Sequence, residues 1–272
     1  MQQKDTSTAD CASEKIVART IASVDELEAI ADQWRELARR QGDPLSYFQS
    51  ADWCLSWCRA ALSANGQAPE LHTQTIWQGD QLVCIVPLMS ERKYGLNTLV
   101  ALGAPESQYS GCMIDPALTD RTVVKDWMAG LRKNSPFDCV LFDDLPASSA
   151  LFPKTQASGI MFDRDNATMV MDLSGFEKPE DIDASMTAKS RKNQKTKMKR
   201  LARYGEVELE VLFGGEPRYK EALRLAMDWK RDWLEEKGQP LNADRNERLH
   251  TQLACLPMEP STKDLPVQCA IM

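Results

Sequence analysis

Apolar residues recur at three- and four-residue spacing from Leu27 through Ile30, Ala31, Trp34 and Leu37 to Ala38, which predicts an amphipathic helix. Ser23-Val24-Asp25-Glu26 has the form of a capping box at its start, and the helix is expected to reach about Arg40 and stop at Gly42. A second helix follows Ser50, burying Cys54, Trp57, Cys58 and Ala61, and ends near Gly66. The pattern then turns to strands: HTQTIWQ, QLVCIVPLM after the Gly79-Asp80 turn, and Leu96 to Leu102. Pro87 cannot donate to a ladder, so it belongs at a strand edge or a bulge.

Further along, Val123, Val124, Trp127, Met128 and Leu131 predict a helix that leads into the strand FDCVLFDDL, and ATMVMDL from about Ala167 predicts another strand. A basic helix over TAKSRKNQKTKMKRLARYG closes at Gly205, and the alternating EVELEVLF predicts a half-buried strand. Pro217 opens a long helix with Ala222, Leu223, Ala226, Trp229 and Trp233 on one face, ending at Gly238. A last helix runs to about Leu256, and LPVQCAIM reads as an unpaired terminal strand open to strand addition, hence to self- or hetero-association. Interspersed helices and strands place the chain in the α/β or α+β class with mixed sheets.

Composition changes this picture in three ways. The 272 residues suffice for two domains, and the polar first 15 residues read as a disordered tail with no secretory signal. No apolar run is long enough to span a bilayer, and Cys54, Cys58, Cys84, Cys139 and Cys269 stand among apolar neighbours as reduced core residues of a cytoplasmic protein. Finally, the chain is acidic, with 33 Lys and Arg against 40 Asp and Glu, yet no acid lies between Asp183 and Glu206. That acidic balance argues against a surface built throughout for nucleic acid or membrane, so any polyanion site must be local.

Signatures of catalysis are sparse. Only His72 and His250 are present, with no Cys-x-x-Cys or His-x-x-x-His pair to hold zinc. The chain also lacks a Gly-x-Ser-x-Gly elbow, a Walker-type phosphate loop and a Gly-x-Gly-x-x-Gly loop. Cys54 and Cys58 lie one helical turn apart, and the tryptophans around them make that a packing face. Asp143 and Asp144 follow a strand, where a carboxylate can act as a base or simply begin a solvated loop. Tyr109, in the Gly-flanked GAPESQYSG, is a pocket candidate or an ordinary loop aromatic. On the basic helix, Lys189, Lys192, Lys199 and Arg203 fall roughly along one side, flanked by Arg191 and Lys195. They are candidates to bind a small phosphorylated ligand or nucleic acid, and the simpler reading is a solvated face paired with the protein's own acidic surface. Nucleic acid is the least favoured of the three, because no aromatic is interleaved before Tyr204.

Taken in order, SYFQSADWCLSWCRA, QLVCIVPLM, LGAPESQYSG, FDCVLFDDLP and the basic helix running into RLARYGEVELEV resemble a known family. It is the group of acetyltransferase-like proteins of the GNAT superfamily named for the cellulose-biosynthesis protein CelD, relatives of the FemAB-type aminoacyl transferases. Phe48, Ser50 and Trp53 match its Phe-x-Ser-x-x-Trp start, Pro87-Leu88 its strand end, and Leu201 to Gly205 its Leu-x-x-x-Gly turn. The resemblance covers roughly residues 16 to 256 and implies two GNAT-like folds in tandem, over residues 16–165 and 166–272. It also implies acyl transfer from acetyl-CoA to a sugar, peptide or similar small acceptor, without a metal. The Arg/Gln-x-x-Gly-x-Gly/Ala loop by which such proteins grip the CoA pyrophosphate does not occur in the chain. The second fold is therefore expected to be cut short. An inactive fragment or partner subunit, and an aminoacyl-tRNA-dependent transferase, stand as alternatives.

Overall fold

A computed structural model describes residues 15–118, 131, 137–149, 151, 167, 171–208, 210–213, 217–239, 243–256 and 268–271. The chain divides into two compact units, Met1–Met161 with Trp229–Leu256, and Phe162–Asp228 with Pro257–Met272. The fold class is mixed α/β with antiparallel and mixed sheets.

In the first unit β1 (Ile16–Ile21) leads to α1 (Val24–Ala29) and α2 (Ala31–Gln41). The capping box forms as expected: Glu26 N donates to Ser23 Oγ, and Glu26 Oε2 accepts from Ser23 N. One continuous helix was expected here, but Ile30 leaves helical geometry at φ −102°, ψ 3°. A one-residue departure does not disturb the apolar spacing, and Leu27, Ala31, Trp34 and Leu37 are all buried. A short 3-10 helix (Pro44–Gln49) then precedes α3 (Ala51–Asn65), whose first turn is capped by Ser50 Oγ accepting from Trp53 N.

Strands β2 (Thr73–Gln78), β3 (Gln81–Val86), β4 (Leu88–Lys93), β5 (Leu96–Ala101), β6 (Met113–Ile114) and β7 (Cys139–Leu141) complete two sheets. One is antiparallel with the order β1-β2-β3-β6; the other has the order β4-β5-β7, with β7 parallel to β5. Pro87 stands where the chain leaves the first sheet for the second, a place that needs no N–H, and its carbonyl accepts from Leu102 N. Ile76, Val83, Cys84, Val86, Leu88, Leu99, Cys112, Leu118 and Leu151 form one core cluster. β7 is shorter than FDCVLFDDL suggests and its residues are exposed, Cys139 among them, because its only strand neighbour among the described residues is β5. The helix expected around residue 125 lies outside the described residues apart from Leu131.

The second unit holds α4 (Pro179–Ser185), α5 (Ala188–Leu201), a two-stranded antiparallel sheet of β8 (Glu210–Phe213) and β9 (Gln268–Ile271), and the start of α6 (Pro217–Glu236). β9 is thus paired, Glu210 facing Ile271, where an unpaired terminal strand was expected. Of ATMVMDL, residues 168–170 lie outside the described residues, and Met171 to Leu173 are exposed without being in a strand. The basic helix ends at Leu201, short of the expected close at Gly205. Arg203 N donates to Arg200 O and Tyr204 N to Leu201 O, which tightens the end into single turns, while Gly205 is nearly extended at φ 159°. Tyr219, Ala222 and Leu223 of α6 are buried, but Ala226, Trp229 and Trp233 of the face expected to be apolar are exposed. The division between units falls within α6, and α7 (Ala243–Ala254) returns to the first unit, where it packs along α3. Among the described residues no helix is long and apolar enough to cross a membrane.

Candidate functional site

Trp53 and Trp57 are four apart on α3, so their indoles emerge on one side, one turn apart. Both N–H groups are used. Trp53 Nε1 donates to Ser107 Oγ at 2.9 Å and Trp57 Nε1 donates to Glu106 Oε2 at 3.1 Å. Glu106 and Ser107 belong to the loop that leaves β5, whose shape is set at Gly103. There φ is 92°, and a Cβ would lie 2.6 Å from Ser107 Oγ and 3.1 Å from Trp53 Nε1. Only glycine meets both demands. Ser107 Oγ then donates to Leu102 O at 3.2 Å, so the hydroxyl links helix and loop as acceptor and donor.

Glu106 is a carboxylate with a side chain only 1% exposed, and such a group needs a cation to offset the loss of its hydration. Arg248 of α7 supplies one. Its Nη2 donates to Glu106 Oε1 at 3.2 Å, and its guanidinium lies 5.8 Å from the centre of the Trp57 ring. Burial and the indole face together hold this pair away from bulk water. Arg248 Nε and both amide atoms of Gln252, one turn later, are buried without a partner.

The far end of the loop is also tied down. Gln49 Nε2 donates to Tyr109 O at 2.5 Å, and the Tyr109 ring lies 6.0 Å from Phe48, itself edge-on to Trp53 at 4.9 Å. Ser110 N donates to Asp143 O at 3.2 Å. Tyr109, Asp143 and Asp144 are thereby brought to one place, although the two stretches are far apart in the chain. The Asp143 carboxylate is exposed, 4.0 Å from Lys93 Nζ, and Asp144 adopts φ 48°.

Cys54 and Cys58 belong to packing. Burial pushes the Cys58 thiol up to about 12 and the Cys54 thiol well above its ordinary value, so neither forms a thiolate near neutral pH. Among the described residues no group of His, Cys, Asp and Glu could hold a metal ion.

The cations of the basic helix lie in the second unit. Arg191 is occupied by structure: its Nη1 donates to Asp183 O at 3.3 Å, Ala184 O at 3.0 Å and Met186 O at 2.6 Å, closing the end of α4. Lys189, Lys192, Lys195 and Lys199 are exposed, and among the described residues none forms an ion pair with an acidic side chain. The helix is thus a solvated face, as the simpler reading expects, with no acidic partner for these four lysines among the described residues. Arg203 lies beyond the helix, in the turn that follows it. An acyl-CoA pyrophosphate requires donors that converge. These side chains diverge around the helix, and Ser190 N, at its start, already donates to Thr187 Oγ1 at 3.1 Å. The described residues do not fit that group.

Sequence reasoning singled out Tyr109 and the two aspartates but missed Glu106 and Arg248. The available signal was an acid inside a Gly- and Pro-containing loop next to strongly apolar strands; its partner, 142 residues on, left none.

No protein-family model matches the chain, and no curated protein matches it. Among solved structures it is similar to a GCN5-related N-acetyltransferase from Ralstonia eutropha JMP134, at 15% identity and a TM-score of 0.36, over 57% of this chain and 99% of that one. A possible acetyltransferase from Clostridium difficile 630 is similar at 15% identity and 0.34, over 58% and 98%. A ribosomal-protein-alanine N-acetyltransferase from Brucella melitensis biovar Abortus 2308 is similar at 11% identity and 0.35, over 58% and 100%. Likenesses at these scores carry no weight for what this chain does.

Proposed function

We propose that the chain is an acyltransferase of the GNAT type, moving an acyl group from acetyl-CoA to an amine or hydroxyl of a small sugar- or peptide-like acceptor. One observation supports this reading. SYFQSADWC and LGAPESQYSG, two of the stretches that carry the resemblance, are joined in space by three hydrogen bonds: Trp53 to Ser107, Trp57 to Glu106 and Gln49 to Tyr109. In this proposal Tyr109, Asp143 and Asp144 border the acceptor, while Trp53, Trp57, Glu106 and Arg248 hold the loop that presents Tyr109. Tyr109, Asp143 and Asp144 are the ionisable groups proposed to border the acceptor, and the Asp143 carboxylate is solvated.

Thermal unfolding in rising acetyl-CoA tests the proposal. A ligand that binds only the folded state adds about 2.7 kcal/mol at a hundred times its Kd, so Tm should climb steadily with concentration. A Tm that stays fixed up to millimolar acetyl-CoA rejects this donor for the chain.

A further inference from the structure

We propose that α5 is a docking surface for duplex nucleic acid, gripped through its phosphates rather than its base edges. The inference does not depend on acyl transfer. α5 is 14 residues long and has no buried residue at all. At about 100° per residue, Lys195, Lys199, Lys192, Lys189, Arg200 and Lys197 are distributed over roughly 200° of its circumference. No acidic residue lies anywhere from Ala184 to Gly205, and none of these six is neutralised within the chain among the described residues. α4, which carries Glu180, Asp181 and Asp183, is fastened through Arg191, outside that arc.

The shape of the arc selects the partner. A small phosphate needs donors that point inward to one spot, and these point outward. An anionic bilayer takes up a helix by its apolar face. Here the positions between the cations are Ala188, Asn193 and Thr196, while Met198 and Leu201 fall on the opposite side, with Gln194 and Arg191. A duplex suits a convex basic helix, because a helix lying in a groove has phosphates on both flanks. The major groove of B-form DNA is about 12 Å wide and admits an α-helix, and the cations run along about 16 Å of axis. Thr196 sits near the middle of the arc, and its hydroxyl donates back to Lys192 O at 2.9 Å, so it is turned away from base edges. The contact is therefore sequence-independent. The remainder of the chain has 26 basic against 40 acidic residues, and it confines that contact to α5.

Fluorescence anisotropy with a short random-sequence DNA duplex decides the matter. With six phosphates contacted, affinity should fall about 10³-fold between about 50 and 200 mM salt. The triple substitution Lys192→Gln, Lys195→Gln and Lys199→Gln should flatten the slope of log affinity against log salt by about 2.7. Lys and Gln are similar helix formers and α5 buries nothing, so circular dichroism should be unchanged. Failure to bind the duplex at low salt, or a wild-type slope in the triple variant, overturns the proposal. Capture by phosphatidylserine vesicles but not by duplex also overturns it and assigns α5 to a membrane surface.

Discussion

Glu106 shows how one side chain can organise a loop. The buried carboxylate is faced by Arg248 and by the Trp57 N–H, and each of the three would be costly to leave alone. Arg248→Met should therefore cost about 3 kcal/mol or more, since it takes a cation away from a buried carboxylate. Adding Glu106→Gln should restore part of the loss, because the neutral amide needs no cation and its oxygen still accepts from Trp57. Urea unfolding of the two single variants and the double variant gives the coupling directly. Additive losses would mean that the pair does not act as a unit. None of this was legible in the sequence. The tryptophans' spacing on α3 was clear, and it correctly indicated a packing face around Cys54 and Cys58. What spacing cannot convey is which polar atom an indole meets, because that depends on a partner far along the chain.

At the scale of elements, legibility follows whether the controlling chemistry is local. The capping box at Ser23, the stop at Gly66 with φ 65° and the start of α6 at Pro217 each depend on a few adjacent residues, and each was read correctly. The end of α5 was misplaced because a glycine within reach is not a cap unless it adopts the left-handed conformation, and Gly205 does not. The halving of α6 was hidden for a different reason. Its apolar spacing continues past the point where burial stops, so Trp229 and Trp233 look like core and are not. The α4–α5 corner gives a test that separates structural charge from solvated charge. Arg191 satisfies three carbonyls at the end of α4, whereas Lys192 beside it satisfies none. Arg191→Ala should hasten amide hydrogen exchange across residues 180–191, and Lys192→Ala should leave it unchanged. Equal protection in both variants would remove Arg191 from this role.

For the whole molecule, the consequence lies in the order of the chain. The sequence suggested a first domain closing by residue 165, but the first unit also takes in Trp229–Leu256, so α3 acquires its neighbour α7 only after Phe162–Asp228 of the second unit has been made. That helix contributes Arg248 and the fully buried Gln252, and the buried Leu256 follows just after it. A chain ending at Met161 would bare one side of α3 and leave Glu106 in apolar surroundings without its cation. Such a chain should lose the cooperative thermal transition of its longer counterpart ending at Leu256, and its tryptophan emission should move to the red as Trp57 meets water. Adding a synthetic peptide of residues 239–256 to the shorter chain should recover part of the blue-shifted emission, because α7 then docks as a separate strand of chain. If the Met161-terminated chain melts cooperatively with native emission on its own, α7 is an accessory to the first unit. Its Arg248 could then not be what makes a buried Glu106 tolerable.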